Sequence, residues 1–289
     1  MIRTLPILLA LAGCALAQSQ TGGLVIRTEV RMVEVYATVL DNRGHYLDDL
    51  PRDAFQLLDN GTPQPIVSFE TNATDLSCAV LLDTTASMAA ALPKVKNAIH
   101  KLIDEFREND WVAVYGFSTG VETLQDFTRD RAAAKKAVSR TRAEGGTALF
   151  DAISKVAGEI SKRNGKKAII VFTDGDDNAS VLNVQRAIER AKKMGVPLYN
   201  AAEGEALRKP ELMSQLKELS RTTGGKAYAV KNLNDAAAIF HDISEDLHHT
   251  YLLAFKPADS PSGDWRPIQL SLNGIRDYKI QAKAGYFSQ

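Results

Sequence analysis

From residue 75 to residue 249 the chain repeats one pattern, a continuous apolar run followed by an amphipathic stretch of helical period. The apolar runs predict strands over 77–83, 111–117, 121–127, 167–174, 196–202 and 226–230. The stretches between them predict helices over 89–107, 131–140, 149–163, 184–194, 210–222 and 235–248. A strand that is apolar along its whole length has both faces buried, which is the situation of a mostly parallel sheet covered by helices. The expected class is therefore α/β, a doubly wound and mostly parallel sheet.

The flanks follow a different rhythm. Val33, Val35, Ala37 and Val39 alternate with polar residues, and Asp59-Asn60-Gly61 separates two short apolar stretches, which is the signature of antiparallel strands and a hairpin. Strand-like runs return at 251–255, 268–272 and 278–282. A segment of roughly 40 residues is too short to bury a core alone. The two flanks, 18–72 and 250–289, are thus expected to pair in one small antiparallel β domain, with an α/β domain over 73–249 inserted between them.

Arg3, the apolar run 5–16 and the Ala15/Ala17 pair before Gln18 read as a secretory signal over residues 1–17. The run falls short of the ~20 residues needed to span a bilayer. Leu11-Ala12-Gly13-Cys14 also resembles a bacterial lipobox, which would be cleaved before an acylated Cys14, and both alternatives stay open. Either predicts an exported chain, periplasmic, envelope-bound or secreted, with a membrane attachment only if Cys14 is lipidated. Lys plus Arg number 35 and Asp plus Glu 35, so no excess of positive charge favours nucleic acid as a partner. Cys78, inside an apolar run, is expected to be a buried small hydrophobe.

The chemistry concentrates in Asp83-Thr84-Thr85-Ala86-Ser87, at the end of the first α/β strand. Residues two apart in an extended stretch point the same way, so Asp83, Thr85 and Ser87 can present three oxygens to one point. Gly145-Gly146-Thr147 opens a later helix, and Asp174 closes the apolar strand 168–173. In order and spacing these residues resemble the metal-ion-dependent adhesion site of the von Willebrand factor type A (VWA) family, whose pattern is Asp-x-Ser-x-Ser, then Thr, then Asp. The flanks, through Asp53-Ala54-Phe55, Asp59-Asn60-Gly61 and Gly285-Tyr286-Phe287, are similar to the exported, acidobacterial-type VWFA-related proteins.

The resemblance implies a six-stranded sheet of order 3-2-1-4-5-6 with strand 3 antiparallel, and a site at the carboxyl ends of strands 1 and 4. It implies a divalent cation held by Asp83, Thr85, Ser87, Thr147 and Asp174, with Thr85 and Ser87 direct and the aspartates mainly through water. Oxygen donors without His or Cys favour Mg²⁺, Mn²⁺ or Ca²⁺. The open coordination position is expected to take an exposed Asp or Glu of a protein or peptide ligand, making the chain a binding module of the adhesion type and not an enzyme. Thr85 departs from the family's Ser and adds a methyl to a tight site; a metal-independent scaffold of the same fold is the alternative.

Other motifs fit poorly. Gly116-Phe117-Ser118-Thr119-Gly120 matches a hydrolase nucleophile elbow, with Asp174 and His241, His248 or His249 following in the required order. An elbow demands a helix directly after the serine, whereas 121–127 reads as a strand. Asp174-Gly175-Asp176-Asp177-Asn178 begins like an EF-hand loop, but Ala179 and Gln185 replace the required Gly and Glu. Asp176 and Asp177 read as solvated loop residues, His248-His249 as helix-end residues, Trp111 as core and Trp265 as sheet packing.

Overall fold

The structure is a computed structural model that describes residues 32–71, 74–175, 177–258 and 261–288. The signal-peptide and lipobox readings, on residues 1–17, lie outside the described residues, as does Asp176. The first part supplies β1 (Val33–Asp41), β2 (Phe55–Asp59), β3 (Thr62–Gln64) and β4 (Ser68–Glu70). The middle begins β5 (Leu76–Asp83), α1 (Leu92–Glu105), β6 (Trp111–Phe117), β7 (Val121–Thr128), α2 (Arg131–Arg140) and α3 (Leu149–Ile160). It continues β8 (Lys166–Thr173), α4 (Val184–Met194), β9 (Leu198–Ala202), α5 (Glu205–Arg208), α6 (Pro210–Thr223), β10 (Ala227–Ala229) and α7 (Ala236–His248). The last part is β11 (Tyr251–Phe255), β12 (Trp265–Leu272), β13 (Tyr278–Ala282) and β14 (Gly285–Phe287).

The central sheet has the order β10-β9-β8-β5-β6-β7. All its pairings are parallel except β6 with β7. Every residue of β5 and of β8 is buried, as the unbroken apolar runs require. Alternation along β5 then serves two helix layers. Cys78, Val80 and Leu82 face the cluster that holds α1, α2 and α7, while Ala79 and Leu81 face that of α3, α4 and α6. Burial pushes the Cys78 thiol well up, as befits a packing residue.

Several element ends carry the local chemistry that stops or starts a helix. Asn183 and Asp130 accept from Arg186 N (3.0 Å) and Ala133 N (2.9 Å) at the starts of α4 and α2. Gly195, at φ 65°, ends α4, and Val196-Pro197 leads from it into β9.

The flanking segments do pair. β1 lies between β11 and β13, giving a sheet of order β13-β1-β11-β4, and β12 joins β2 and β14 in a second sheet, β14-β12-β2-β3. Both are antiparallel and enclose one core of Val35, Val39, Leu57, Leu253, Phe255 and Ile268. Asp59, fully buried, fastens the two chain parts. It receives Nε and Nη2 of Arg266 at 2.9 and 2.8 Å and the Tyr286 hydroxyl at 3.0 Å. Asp59 precedes the hairpin turn in which Asn60 (φ 49°) and Gly61 (φ 79°) are left-handed. Tyr286 follows Gly285, where a Cβ would fall 2.4 Å from Arg266 O.

One carboxylate also spans the start and end of the inserted part. Asp110 accepts from Leu76 N (2.8 Å), Arg107 N (2.8 Å) and His248 Nε2 (3.1 Å). Burial pushes this carboxyl up, but these hydrogen bonds outweigh it and hold Asp110 below its ordinary value. His248 and His249 do sit at the end of α7; His249 bonds Asp48 (2.7 Å) and stacks on Tyr46 at 4.3 Å.

The tryptophans differ in part from expectation. Trp111 is half-buried at a strand start, flanked by the Arg129 and Arg163 guanidiniums at 4.7 and 4.9 Å, and is not a core residue. Trp265 packs edge-on against Phe287 at 5.1 Å, with the Lys192 ammonium 4.7 Å from its ring centroid.

Asp59→Ala leaves the Arg266 guanidinium without its counter-ion in a mostly buried position. Breaking a buried pair from one side costs about 3–5 kcal/mol. Urea unfolding should show that loss as a lower midpoint with an unchanged slope; a loss below 1 kcal/mol would mean that Asp59 does not fasten the flanks.

Candidate metal centre

β5 and β8 are parallel neighbours in the middle of the sheet, with Leu82 opposite Phe172, so Asp83 and the Thr173-Asp174 pair emerge side by side at their carboxyl ends. The sheet order reverses direction here, β8 and β6 lying on opposite sides of β5, and open α/β sheets bind ligands at such a switch point.

Asp83 is fully buried. Its Oδ1 accepts from Thr85 N at 3.0 Å and its Oδ2 from the Thr173 hydroxyl at 2.7 Å. Thr173 Oγ1 in turn accepts from Gly175 N at 2.9 Å, which fixes the start of the loop that carries Asp174. Thr85 Oγ1 and Ser87 Oγ lie 3.0 Å apart, with Thr85 buried and Ser87 exposed. The two hydroxyls do meet, but not by extended alternation: only Thr85 is extended, and Ser87 lies in a 3-10 turn over Ala86–Ala89 that folds its hydroxyl back beside that of Thr85.

Thr147 reaches the same end of the sheet through its neighbours. Gly145 O accepts from Ala86 N (3.2 Å), and Ala148 N donates to Ser118 O (2.7 Å). Thr147 N donates to Asn178 Oδ1 at 2.9 Å, and Thr147 O accepts from Asn178 N at 3.0 Å. A Cβ on Gly146 would lie 2.9 Å from Asn178 Oδ1, so the glycine is what allows the loops to approach. Thr147 is buried, and its hydroxyl makes no hydrogen bond among the described residues.

Asp174 completes the set. It is 4% exposed, and its Oδ1 is buried without a hydrogen-bond partner. No Lys, Arg or His pairs with Asp83 or Asp174 among the described residues. Burial, helped by the charge of Asp174, pushes the Asp83 carboxyl up to about 6 against the hydrogen bonds from Thr85 and Thr173. Glu203, at the end of β9, is raised by burial and by the same Asp174 charge.

A buried carboxylate oxygen without a donor is costly unless something positive completes it. The neighbouring groups are hydroxyls and carboxylates, the hard oxygen donors that suit Mg²⁺, Mn²⁺ or Ca²⁺. The donor set therefore fits a divalent cation. It holds only two aspartates, and among the described residues no three His, Cys, Asp or Glu gather as a metal group.

Some contributors escaped the sequence reading. Asp177 is not a solvated loop residue: its Oδ2 accepts from Phe150 N (2.9 Å) and the Ser180 hydroxyl (2.7 Å), holding the loop against the start of α3. Asn178 and Thr173 position Thr147 and Asp83, and only their place beside Asp174 in sequence hints at that role. Ser118 sits in the turn between β6 and β7, where its N–H donates to Gly120 O at 2.9 Å. A strand follows it, and His241, His248 and His249 pair with Glu105, Asp110 and Asp48 instead.

The von Willebrand factor type A domain model matches residues 78–245. The chain belongs to that family. Among solved structures, a von Willebrand factor type A protein from Catenulispora acidiphila aligns with a TM-score of 0.54 at 14% identity, covering 91% of this chain and 75% of that one. BatB from Bacteroides thetaiotaomicron aligns at 0.50 and 24% identity, over 59% of this chain and 98% of its own. The vWF domain of the pilus tip protein Mfa5 from Porphyromonas gingivalis aligns at 0.51 and 11% identity, over 61% of this chain and 95% of its own. These likenesses are of fold. Among curated proteins none matches the chain.

A carboxyl that is raised on folding destabilises the native state once it ionises. In the metal-free protein the Asp83 penalty is absent below the unfolded value near ~4, grows as pH rises and is complete above about 6. Asp83→Asn should therefore stabilise the EDTA-treated protein at pH 7.5 by roughly 1–3 kcal/mol, with the gain vanishing at pH 4. Thermal melts at the two pH values check this; equal effects at both would refute it.

Proposed function

We propose that the chain is a divalent-cation-dependent protein-binding module of the cell envelope or exterior, which engages an exposed Asp or Glu of its partner. The observation that carries the reading is the unpartnered, buried Asp174 Oδ1 beside the buried Asp83 carboxylate, with no cationic side chain in an ion pair with either among the described residues. Thr85 and Ser87 would hold the ion directly, Thr147 directly or through water. Asp83 would act mainly through water, since protein hydrogen bonds already occupy both its oxygens. Asp174 would act likewise.

When bound, Mg²⁺, Mn²⁺ or Ca²⁺ supplies an electrophilic position for a carboxylate that the protein leaves unfilled. The protein's own groups supply the rest. The Thr173 and Thr85 bonds fix Asp83, Asn178 holds the Thr147 backbone, and exposed Ser87 marks the side open to a ligand. VWA domains serve as protein-interaction modules, which agrees with a site built to capture rather than to transform. Export rests on the N-terminal sequence pattern; among the described residues no helix is long and apolar enough to cross a membrane.

Calorimetry with Mg²⁺ and Mn²⁺ tests the site. One ion should bind per chain, and saturation at 1,000 times Kd should raise the apparent stability by about 4 kcal/mol. Asp83→Ala and Asp174→Ala should each weaken binding by at least ~10–100-fold while leaving the fold intact. Thr85→Ser should preserve or tighten binding. The absence of both binding heat and a melting shift at millimolar metal would reject metal dependence and leave the fold assignment untouched.

A further inference from the structure

Two open strand edges face one cleft at the outer side of the central sheet. Among the described strands β10 is the sheet's last and pairs only with β9, in parallel, with Ala227 opposite Asn200. Asn200 N donates to Lys226 O at 2.9 Å and Val230 N to Ala202 O at 2.7 Å. In a parallel ladder of that register the bonds to β9 use Lys226, Tyr228 and Val230, so the peptide groups of Ala227 and the N–H of Ala229 point outward. β13 likewise ends its own sheet, pairing only with β1. Gln281 Nε2 donates to Gly224 O at 3.0 Å and holds the two edges together at one end.

Between them lies a cleft of about 520 Å³, within the range of ~300–1,000 Å³ usual for ligand sites. Lys217 and Arg221 of α6, Lys226 and Tyr228 line one wall, Ile280 and Gln281 the other, and among the described residues no Asp or Glu lines it. Arg221 pairs with Glu218 and Lys226 with Asp246, whereas Lys217 has no carboxylate partner among the described residues. A strand edge with free peptide groups accepts an added strand, and cationic side chains beside it select an acidic one. A second copy of this chain would bring its own Lys217, Arg221 and Lys226 against these, and like charges oppose that pairing.

We propose that this cleft is a second binding surface, which takes an extended acidic segment of a partner protein as an added strand on β10. It lies at the sheet edge and needs no metal, so it stands or falls apart from the adhesion site.

The test is selection of a random heptapeptide display library on the full chain in EDTA. The enriched peptides should be rich in Asp or Glu. Hydrogen–deuterium exchange should show them protecting the amides of Ala227 and Ala229. Lys217→Glu, on an exposed helix face, should weaken their binding about tenfold, the size of one charge-assisted contact. Ala227→Pro removes an outward donor without breaking a bond to β9, a position where an edge strand tolerates proline. It should abolish binding while leaving the melting temperature within a few degrees. No enrichment, enrichment of peptides without acids, or binding indifferent to either substitution would overturn the proposal.

Discussion

The buried hydrogen bond from the Thr173 hydroxyl to Asp83 Oδ2, 2.7 Å long, joins the ends of two parallel strands that come from halves of the domain 90 residues apart. The placement of the two carboxylates at the candidate metal centre depends on it. It sets Asp83 in one orientation, and through Gly175 N it sets the direction in which Asp174 leaves β8. The strands themselves are held by full burial against helices on both faces, so the carboxylates stand at the ends of close-packed elements. A site that must present a fixed set of oxygens gains from that packing, because its first ligands need no reordering when a ligand arrives.

The chain treats its buried carboxylates in two opposite ways. Asp59 receives a two-pronged arginine and a tyrosine hydroxyl, and its charge is fully matched. Among the described residues Asp83 and Asp174 are in no ion pair, and Oδ1 of Asp174 has no hydrogen-bond partner. The first arrangement fastens a fold; the second leaves buried negative charge without a counter-ion, at a cost in stability. The molecule thus separates the two tasks in space, one in the antiparallel sandwich and one in the inserted sheet.

Sequence periodicity revealed the α/β core because β5 and β8 are buried on both faces and must be apolar throughout. It revealed the sandwich less sharply. β3 and β14 are three residues each, too short to show an alternation, and β12 changes partner at Pro267, so its first residues look like loop. The nearness of Thr85 and Ser87 was legible through their spacing, although the geometry behind it was not: Ser87 is brought back by a 3-10 turn and not by an extended step. The residues that hold the site were not legible. Asp177 and Asn178 act on Phe150 and Thr147 across a loop, a relation that no local pattern encodes. The partnership of Asp59 with Arg266 and Tyr286 was equally hidden, although the motifs around Asp59 and Tyr286 stood out singly.

Asp110 touches both the first residue of β5 and the last of α7. That placement bears on the order in which the molecule assembles. Asp59 and Arg266 are 207 residues apart along the chain, and closing a flexible loop of that length costs about 5 kcal/mol of entropy. Once the inserted sheet has folded, Asp110 holds its two ends together, and the effective loop separating the flanks becomes short. A sandwich closing on an already folded insert would therefore bear little of that loop cost. A lesion in the α/β core would accordingly surface first as a failure of the sandwich to close, far from the residue that was changed.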